Sequence, residues 1–313
     1  MRRLCAFFVL LGLVAVSCAE KPRYAVFEGY AQGGSYCVKV NMTGAGASER
    51  DIASGIDSLL TCIDTTFSGY NSLSQLSRLN EGEKVSLSPM FLELKSIAES
   101  YKALTRGAFD VGAAPLFDLW GFGFRQGAFP GEAQVAEAMA ACAEGKKLNF
   151  NAIAQGYTCD VIARYLHSLG IIDMLVDVGE IYCEGLNPSG KPWTIGIDSP
   201  EDGNNTPGAR LSGIWISDGG AHGVVTSGNY RKFYVRDGRK YSHTIDPRTG
   251  YPVRHNLLSA TVVAPDATAA DALATFFMVV GFEQARDYVL KEADLEACLI
   301  TSDTVWFSPG FCR

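Results

Sequence analysis

The chain has 313 residues, 47% of them hydrophobic, and a formal charge of −7 at neutral pH. An acidic chain with no cluster of lysine and arginine lacks the electrostatic footprint of a nucleic-acid binder, so no nucleic-acid partner is expected. Its nine cysteines include no CxxC pair, which argues against a zinc ribbon or a thioredoxin-like centre.

The first residues read as an address rather than as fold. Met1-Arg2-Arg3 precede an apolar run from Leu4 to Val16, which is shorter than the ~20 residues needed to span ~30 Å of hydrocarbon. Ala15-Val16-Ser17-Cys18 resembles a bacterial lipoprotein cleavage box. Residues 1–17 are therefore expected to be a signal peptide, Cys18 the lipidated first residue and residues 18–23 a linker. An ordinary secretory signal is the alternative. On the lipoprotein reading the protein is exported, anchored to the bacterial membrane through its lipid, and faces the periplasm. Residues 24–313 then form one large domain or two intimate subdomains. Most of the remaining cysteines are expected to be buried thiols, with a Cys298–Cys312 bridge open in an oxidising compartment.

Along the chain, Tyr24–Phe27 and Ser35–Val40 have strand character and meet through Gln32-Gly33-Gly34. Ser48–Phe67 and Met90–Leu104 carry helical stripes, separated by the turn-rich Ser68–Ser74. Gly121 and Gly123 lie among aromatics with no preceding strand, so they indicate a buried aromatic turn and no dinucleotide fingerprint. Leu148-Asn149-Phe150 predicts a short strand feeding a helix that ends at Gly170. Met174–Gly185 reads as a buried strand turning at Gly179 and Trp193–Asp198 as another, with Leu211–Ser217 continuing the sheet beyond an exposed excursion at 203–208. Gly223–Ser227 ends in a hydroxyl-rich turn at Thr226-Ser227-Gly228, and 233–241 forms a hairpin about Asp237-Gly238. Leu258–Ala264 is a strand, Ala267–Val280 a helix stopped by Gly281, and 297–307 a last hairpin. Irregular alternation of strands and helices predicts a mixed α+β fold.

The chemistry concentrates in Tyr241–Pro252, where His243, Asp246 and Arg248 fall among Pro247, Gly250 and Pro252, a constrained loop leaving a strand. In the late helix Asp271 and Thr275 stand at i and i+4, so their oxygens share a face within an alanine-rich, apolar segment. A buried carboxylate needs a partner: a hard cation such as Mg²⁺, an arginine, or a backbone amide. The helix start at Asn151–Gly156 and the Thr226-Ser227-Gly228 turn could receive phosphate. With His243 and Arg248 they suggest a diphosphate ligand whose charge a bound cation offsets. His167, His222 and His255 show no nameable partner.

Seven motifs in order, covering about Tyr30–Thr301, resemble the FAD:protein FMN transferases, the ApbE-like flavin transferases. They are Phe67-Ser68-Gly69-Tyr70, Gly107-Ala108-Phe109-Asp110, Leu119–Gly123, Ala152–Tyr157, Thr226–Tyr230, His243–Gly250 and Ala270–Thr275. The resemblance implies a T-fold-like core of antiparallel sheets with packed helices and makes 24–313 a flavin transferase domain. It implies Mg²⁺-dependent cleavage of FAD, with FMN passed to a threonine of an acceptor redox protein, such as a subunit of an ion-pumping complex, and AMP released. By position it implies metal ligation by the Ala152 carbonyl, Asp271 and Thr275. The FAD contacts it implies are Gln32, Tyr70, Ala108, Phe109, Asp110, Gln155, Ser227, Gly228 and Ile245. His243 fits the base for the acceptor threonine, since an imidazole accepts a proton near neutral pH. The alternatives are a Mg²⁺-dependent FAD pyrophosphatase and an FAD-binding lipoprotein without chemistry.

Overall fold

The computed structural model describes residues 22–122, 129–201, 206, 208–229, 233–236 and 239–311. The signal segment with Cys18, Gly123, most of the 203–208 excursion, Tyr230, the Asp237-Gly238 turn and Cys312 lie outside the described residues. In chain order the elements begin with β1 (Tyr24–Ala31), β2 (Gly34–Asn41), α1 (Glu49–Phe67), α2 (Gln75–Asn80) and α3 (Pro89–Leu104). They continue with α4 (Ala114–Leu119), α5 (Glu132–Ala143), α6 (Ala154–Ser168), β3 (Met174–Asp177), β4 (Ile181–Glu184), β5 (Thr194–Asp198) and β6 (Leu211–Ile216). Next come β7 (His222–Gly228), β8 (Phe233–Arg236), β9 (Arg239–Ser242), β10 (Ile245–Asp246), β11 (Tyr251–Pro252) and β12 (Leu257–Ala264). The chain closes with α7 (Ala267–Val280), α8 (Phe282–Val289), β13 (Glu296–Thr301) and β14 (Val305–Phe307). The fold is mixed α+β.

Eight strands form one antiparallel sheet in the order β1-β2-β3-β4-β7-β12-β13-β14. Period-2 alternation sorts its side chains into two cores. On one face Val176, Val225, Ala260, Val262, Ala297 and Leu299 meet the helices, chiefly α6 and α7. On the other, Leu175, Val224, Val263, Cys298 and Ile300 meet Trp193, Ile195, Ile197 and Trp215. Residues Leu211–Ser217 therefore do not continue the main sheet. β5 and β6 pair with each other as a separate ribbon that lies over its second face. Cover on both faces is why β12 reads as a nearly unbroken apolar run.

Local chemistry explains the element ends. Gln32 (φ 52°) and Gly33 (φ 82°) are both left-handed, the two-residue turn that matches strand twist and sets the β1–β2 register. Ser48 and Asp51 make a reciprocal capping box at the start of α1, and Ser88 caps α3 ahead of Pro89. Asp266 accepts from the Ala269 N–H (2.7 Å) to open α7.

Leu148-Asn149-Phe150 is not a strand. Its backbone is held by a side chain instead: Asn80 both donates to the Leu148 carbonyl and accepts its N–H, each at 2.8 Å. Thr226, Ser227 and Gly228 are also not a turn, since they pair with Thr261, Ala260 and Ser259 inside the β7–β12 ladder. Cys298 is a free, buried thiol, as are Cys159 and Cys183.

Candidate functional site

The site is built on the seam between α6 and α7. Gly156, in the first turn of α6, donates its N–H to Asp271 Oδ2 (3.0 Å). Four residues on, Asp160 reaches back to the start of α7 and accepts from the N–H groups of Ala267 (2.9 Å) and Thr268 (2.8 Å), and from the Thr268 hydroxyl. Each helix thus lends a carboxylate to the other's backbone. The approach is close enough that a Cβ on Gly156 would lie 2.2 Å from the Ala267 carbonyl oxygen.

Both carboxylates are buried, and among the described residues no lysine or arginine pairs with either. Burial pushes Asp271 up to about 7, against the pull of the Gly156 N–H. Burial likewise pushes Asp160 up to about 6, against the hydrogen bonds from Thr268 and Ala267. Thr275 stands one turn beyond Asp271 and is half-buried. Ala152 occupies the turn before α6, four residues ahead of the Gly156 N–H that touches Asp271.

Three tethers bring other residues to this end of α6. First, α1 runs antiparallel to α6. Gly46 N–H reaches Leu169 O (3.0 Å) at one end, and the Phe67 and Tyr157 rings meet edge-on at 6.0 Å at the other. Tyr70 follows three residues after Phe67 and is 78% exposed. Second, Gln32 donates to Thr158 Oγ1 (2.6 Å) and Gln155 to Val178 O (3.1 Å). Third, the Asn149 N–H donates to Val111 O (2.8 Å), tying the turn before α6 to the segment after Asp110.

Asp110 itself is engaged, by Lys102 Nζ and the Gly112 N–H, both at 2.8 Å. Ala108, Phe109 and Ile245 are each 1% exposed, backbone included, and the N–H groups of Ala108 and Phe109 are engaged by Thr105 O (3.2 Å) and Thr105 Oγ1 (3.0 Å). Ser227 and Gly228 are half-buried at the end of β7. Asn229 joins that end to the segment around His243, accepting from the Ser242 and Thr244 hydroxyls. The His243 ring lies 6.3 Å from that of Phe122, and β10, two residues on, packs on α7.

Other parts of the anion site differ from expectation. Arg248 does not present a bare guanidinium: its Nε and NH2 donate to both oxygens of Asp246 (2.9 and 2.8 Å). At the start of α6 the N–H groups of Asn151, Ile153, Ala154, Gly156 and Tyr157 already have protein acceptors. The remaining histidines do have partners: His167 with Glu184, His222 with Asp218, and His255 with Met278 O.

The donor set suits a hard cation. Ala152, Asp271 and Thr275 offer a carbonyl, a carboxylate and a hydroxyl, all oxygen. Among the described residues no group of three or more His, Cys, Asp or Glu side chains could hold a metal. A cation here would take a single carboxylate and complete its shell with water and substrate phosphate, the habit of Mg²⁺.

Residues 33–299 match the model of the ApbE family. The chain belongs to the ApbE family. It is 33% identical to the FAD:protein FMN transferase of Escherichia coli strain K12, over 96% of this chain and 93% of that protein. Two solved structures share its fold. The flavin transferase ApbE from Vibrio cholerae superposes with a TM-score of 0.78 at 30% identity, covering 93% of this chain and 98% of that one. The apo flavinyl transferase ApbE of Pseudomonas stutzeri gives 0.80 at 31%, covering 92% and 95%.

Within this ApbE-family chain, sequence reasoning missed two buried polar residues, Asp160 and Asn229. A signal for the first was present: Asp160 interrupts the apolar run Cys159–Ala163, where an acid without a structural task would be costly. Asn229 stands inside the Thr226–Tyr230 motif, but its task gave no such signal, because its partners lie 13 and 15 residues away.

Proposed function

We propose that this chain is an FAD:protein FMN transferase, cleaving FAD and joining FMN through a phosphoester to a threonine of an acceptor redox protein, with release of AMP. The observation that carries this is the α6–α7 seam, which sets buried Asp271 against the first turn of α6 beside Ala152. Membership of a family with FAD:protein FMN transferases supports it.

The Ala152 carbonyl, Asp271 and Thr275 would hold Mg²⁺. When bound, the ion offsets charge on the diphosphate and on the departing AMP. Tyr70 would stack on an aromatic face of FAD, with Gln32 and Gln155 flanking the same end of α6. Asp110, Ser227 and Gly228 would line the remainder, with Ala108, Phe109 and Ile245 packed directly behind it. The acceptor threonine oxygen attacks the FMN phosphorus, and the bond to the bridging oxygen breaks. AMP leaves with that oxygen, and His243 takes the threonine proton.

Export and anchoring through Cys18 belong to the same proposal: a periplasmic enzyme tethered beside membrane-bound acceptors. Among the described residues no helix is long and apolar enough to cross a membrane.

The test is to combine purified protein, FAD, Mg²⁺ and a threonine-bearing acceptor domain, then assay AMP and flavin fluorescence on the denatured acceptor. Fluorescent acceptor with AMP supports the transferase. AMP with free FMN would make the chain a pyrophosphatase, and intact FAD a carrier.

A further inference from the structure

His243 sits on a segment with only short strands to hold it, yet a base must be aimed to within a fraction of an ångström. Among the described residues, the two positions that flank it, Ser242 and Thr244, share one partner, Asn229. This residue follows the last residue of β7, and its N–H donates to Leu258 O (2.9 Å), extending the β7–β12 ladder by one more bond. Its backbone is thus part of the central sheet. Its side chain is buried, and Oδ1 accepts from both the Ser242 and Thr244 hydroxyls. The Thr244 N–H in turn donates to Ser242 Oγ (3.0 Å). The three bonds close a ring across a single intervening residue, His243. On the far side, the Val253 N–H donates to Thr244 O (3.0 Å), so the segment is gripped from both directions.

We propose that Asn229 is a positioning residue for His243: it clamps the hydroxyls on either side and thereby fixes the direction in which the imidazole leaves the backbone. The role rests on the transferase reading above. A buried carboxamide is costly to desolvate and persists where its bonds have a task. Holding a reactive residue to the rigid sheet is such a task, because the sheet positions the other half of the site through β12 and α7.

The test uses Asn229→Leu and Asn229→Asp, the second keeping an oxygen acceptor at the same place. For FMN transfer, Asn229→Leu is expected to lower kcat on the order of 10²-fold, with little change in KM for FAD. Asn229→Asp is expected to recover most of that loss. In a His243→Ala background Asn229→Leu should cost nothing further, because a residue acting through His243 has nothing left to position. Equal losses in both backgrounds would reduce Asn229 to a structural role and overturn the proposal.

Amide hydrogen exchange at Thr244 reads the clamp without any catalysis. Protection should fall in Asn229→Leu and return in Asn229→Asp; unchanged protection in Asn229→Leu overturns the proposal whatever the activity. Should Asn229→Leu not fold, Thr244→Val removes one of the two hydroxyls and is expected to show the same kcat-selective loss. A wild-type chain that transfers no FMN would sink the transferase reading, while exchange at Thr244 would still decide whether the clamp exists.

Discussion

The α6–α7 seam is most directly tested by Gly156→Ala. A methyl at this position would stand 2.2 Å from the Ala267 carbonyl oxygen, 2.7 Å from its carbon and 2.8 Å from Asp271 Cβ. Two of these are backbone atoms in the first turn of α7, with no rotamer to escape into. Relief requires the helices to part by roughly 1 Å, an overpacking cost of ~1–3 kcal/mol. Parting also weakens the Gly156–Asp271 hydrogen bond, worth ~1.5–3 kcal/mol for a charged acceptor. Against this, alanine is favoured over glycine in a helix by only ~1 kcal/mol. The net is a destabilisation of about 3 kcal/mol, or a fall in Tm of about 6–12 °C for a domain of this size. A thermal melt followed by circular dichroism reads the shift, and AMP release should drop with it because Ala152 moves away from Asp271. A variant that melts within about 2 °C of wild type and turns over normally would refute the close seam and the site built on it.

Asp271→Asn should abolish Mg²⁺-dependent AMP release, by more than the ~10–100-fold typical of residues that only support a ligand. It should leave Tm unchanged or raised, because a buried carboxylate is being replaced by a neutral group; normal activity in that variant would remove Asp271 from the metal set. His255 is held as the neutral tautomer that donates from Nε2 to Met278 O (2.9 Å) and accepts the Leu257 N–H on Nδ1 (3.3 Å). Burial lowers its pKa below 6.5, so the unfolded chain binds the proton more readily. Its contribution is therefore intact above pH ~6.5 and lost as pH falls. Urea titrations from pH ~7 to ~5 should show that loss, and His255→Gln should flatten it. If Cys18 carries the proposed lipid anchor, metabolic labelling with radioactive palmitate should tag the wild type and not Cys18→Ser; equal labelling of the two would rule out an anchor at Cys18.

Much of the fold was legible because its cues are local. Ser48 before an apolar stripe, Gly170 and Gly281 after one, and a two-residue turn at Gln32-Gly33 act through neighbours within four residues. Element bounds drawn from them hold closely for α1 and α7, whereas in the first hairpin β1 runs four residues past Phe27 to Ala31 and Gly34 belongs to β2. The failures are long-range. Leu148–Phe150 looks like a strand because its ends are apolar, but Leu148 bonds to Asn80, 68 residues away, and the Asn149 N–H to Val111 O. Thr226-Ser227-Gly228 has turn composition, yet its place in the ladder is fixed by β12, more than thirty residues on. The β5–β6 ribbon alternates like any sheet strand, and no periodicity says which sheet it joins.

The candidate site divides the same way. The spacing of Asp271 and Thr275 was visible, but the identity of the carboxylate's partner was not. Of the possibilities open to Asp271, the protein supplies a backbone amide, Gly156, and supplies it to one oxygen only. That distinction also decides between the two acids of the seam. Both are buried and both are pushed up in pKa, so electrostatics alone would nominate either as a cation ligand. Asp160, however, has both oxygens occupied, Oδ1 by the Ala267 N–H and Oδ2 by the Thr268 N–H and hydroxyl. Its lone pairs are committed to the free N–H groups at the start of α7, a mechanical task. Asp271 keeps its Oδ1 outside any hydrogen bond among the described residues, one turn from the Thr275 hydroxyl. A cation gains most where a buried negative charge has the fewest donors to neutralise it. On that ground the ion would sit at Asp271, and Asp160 would serve by keeping α7 where Asp271 can reach it.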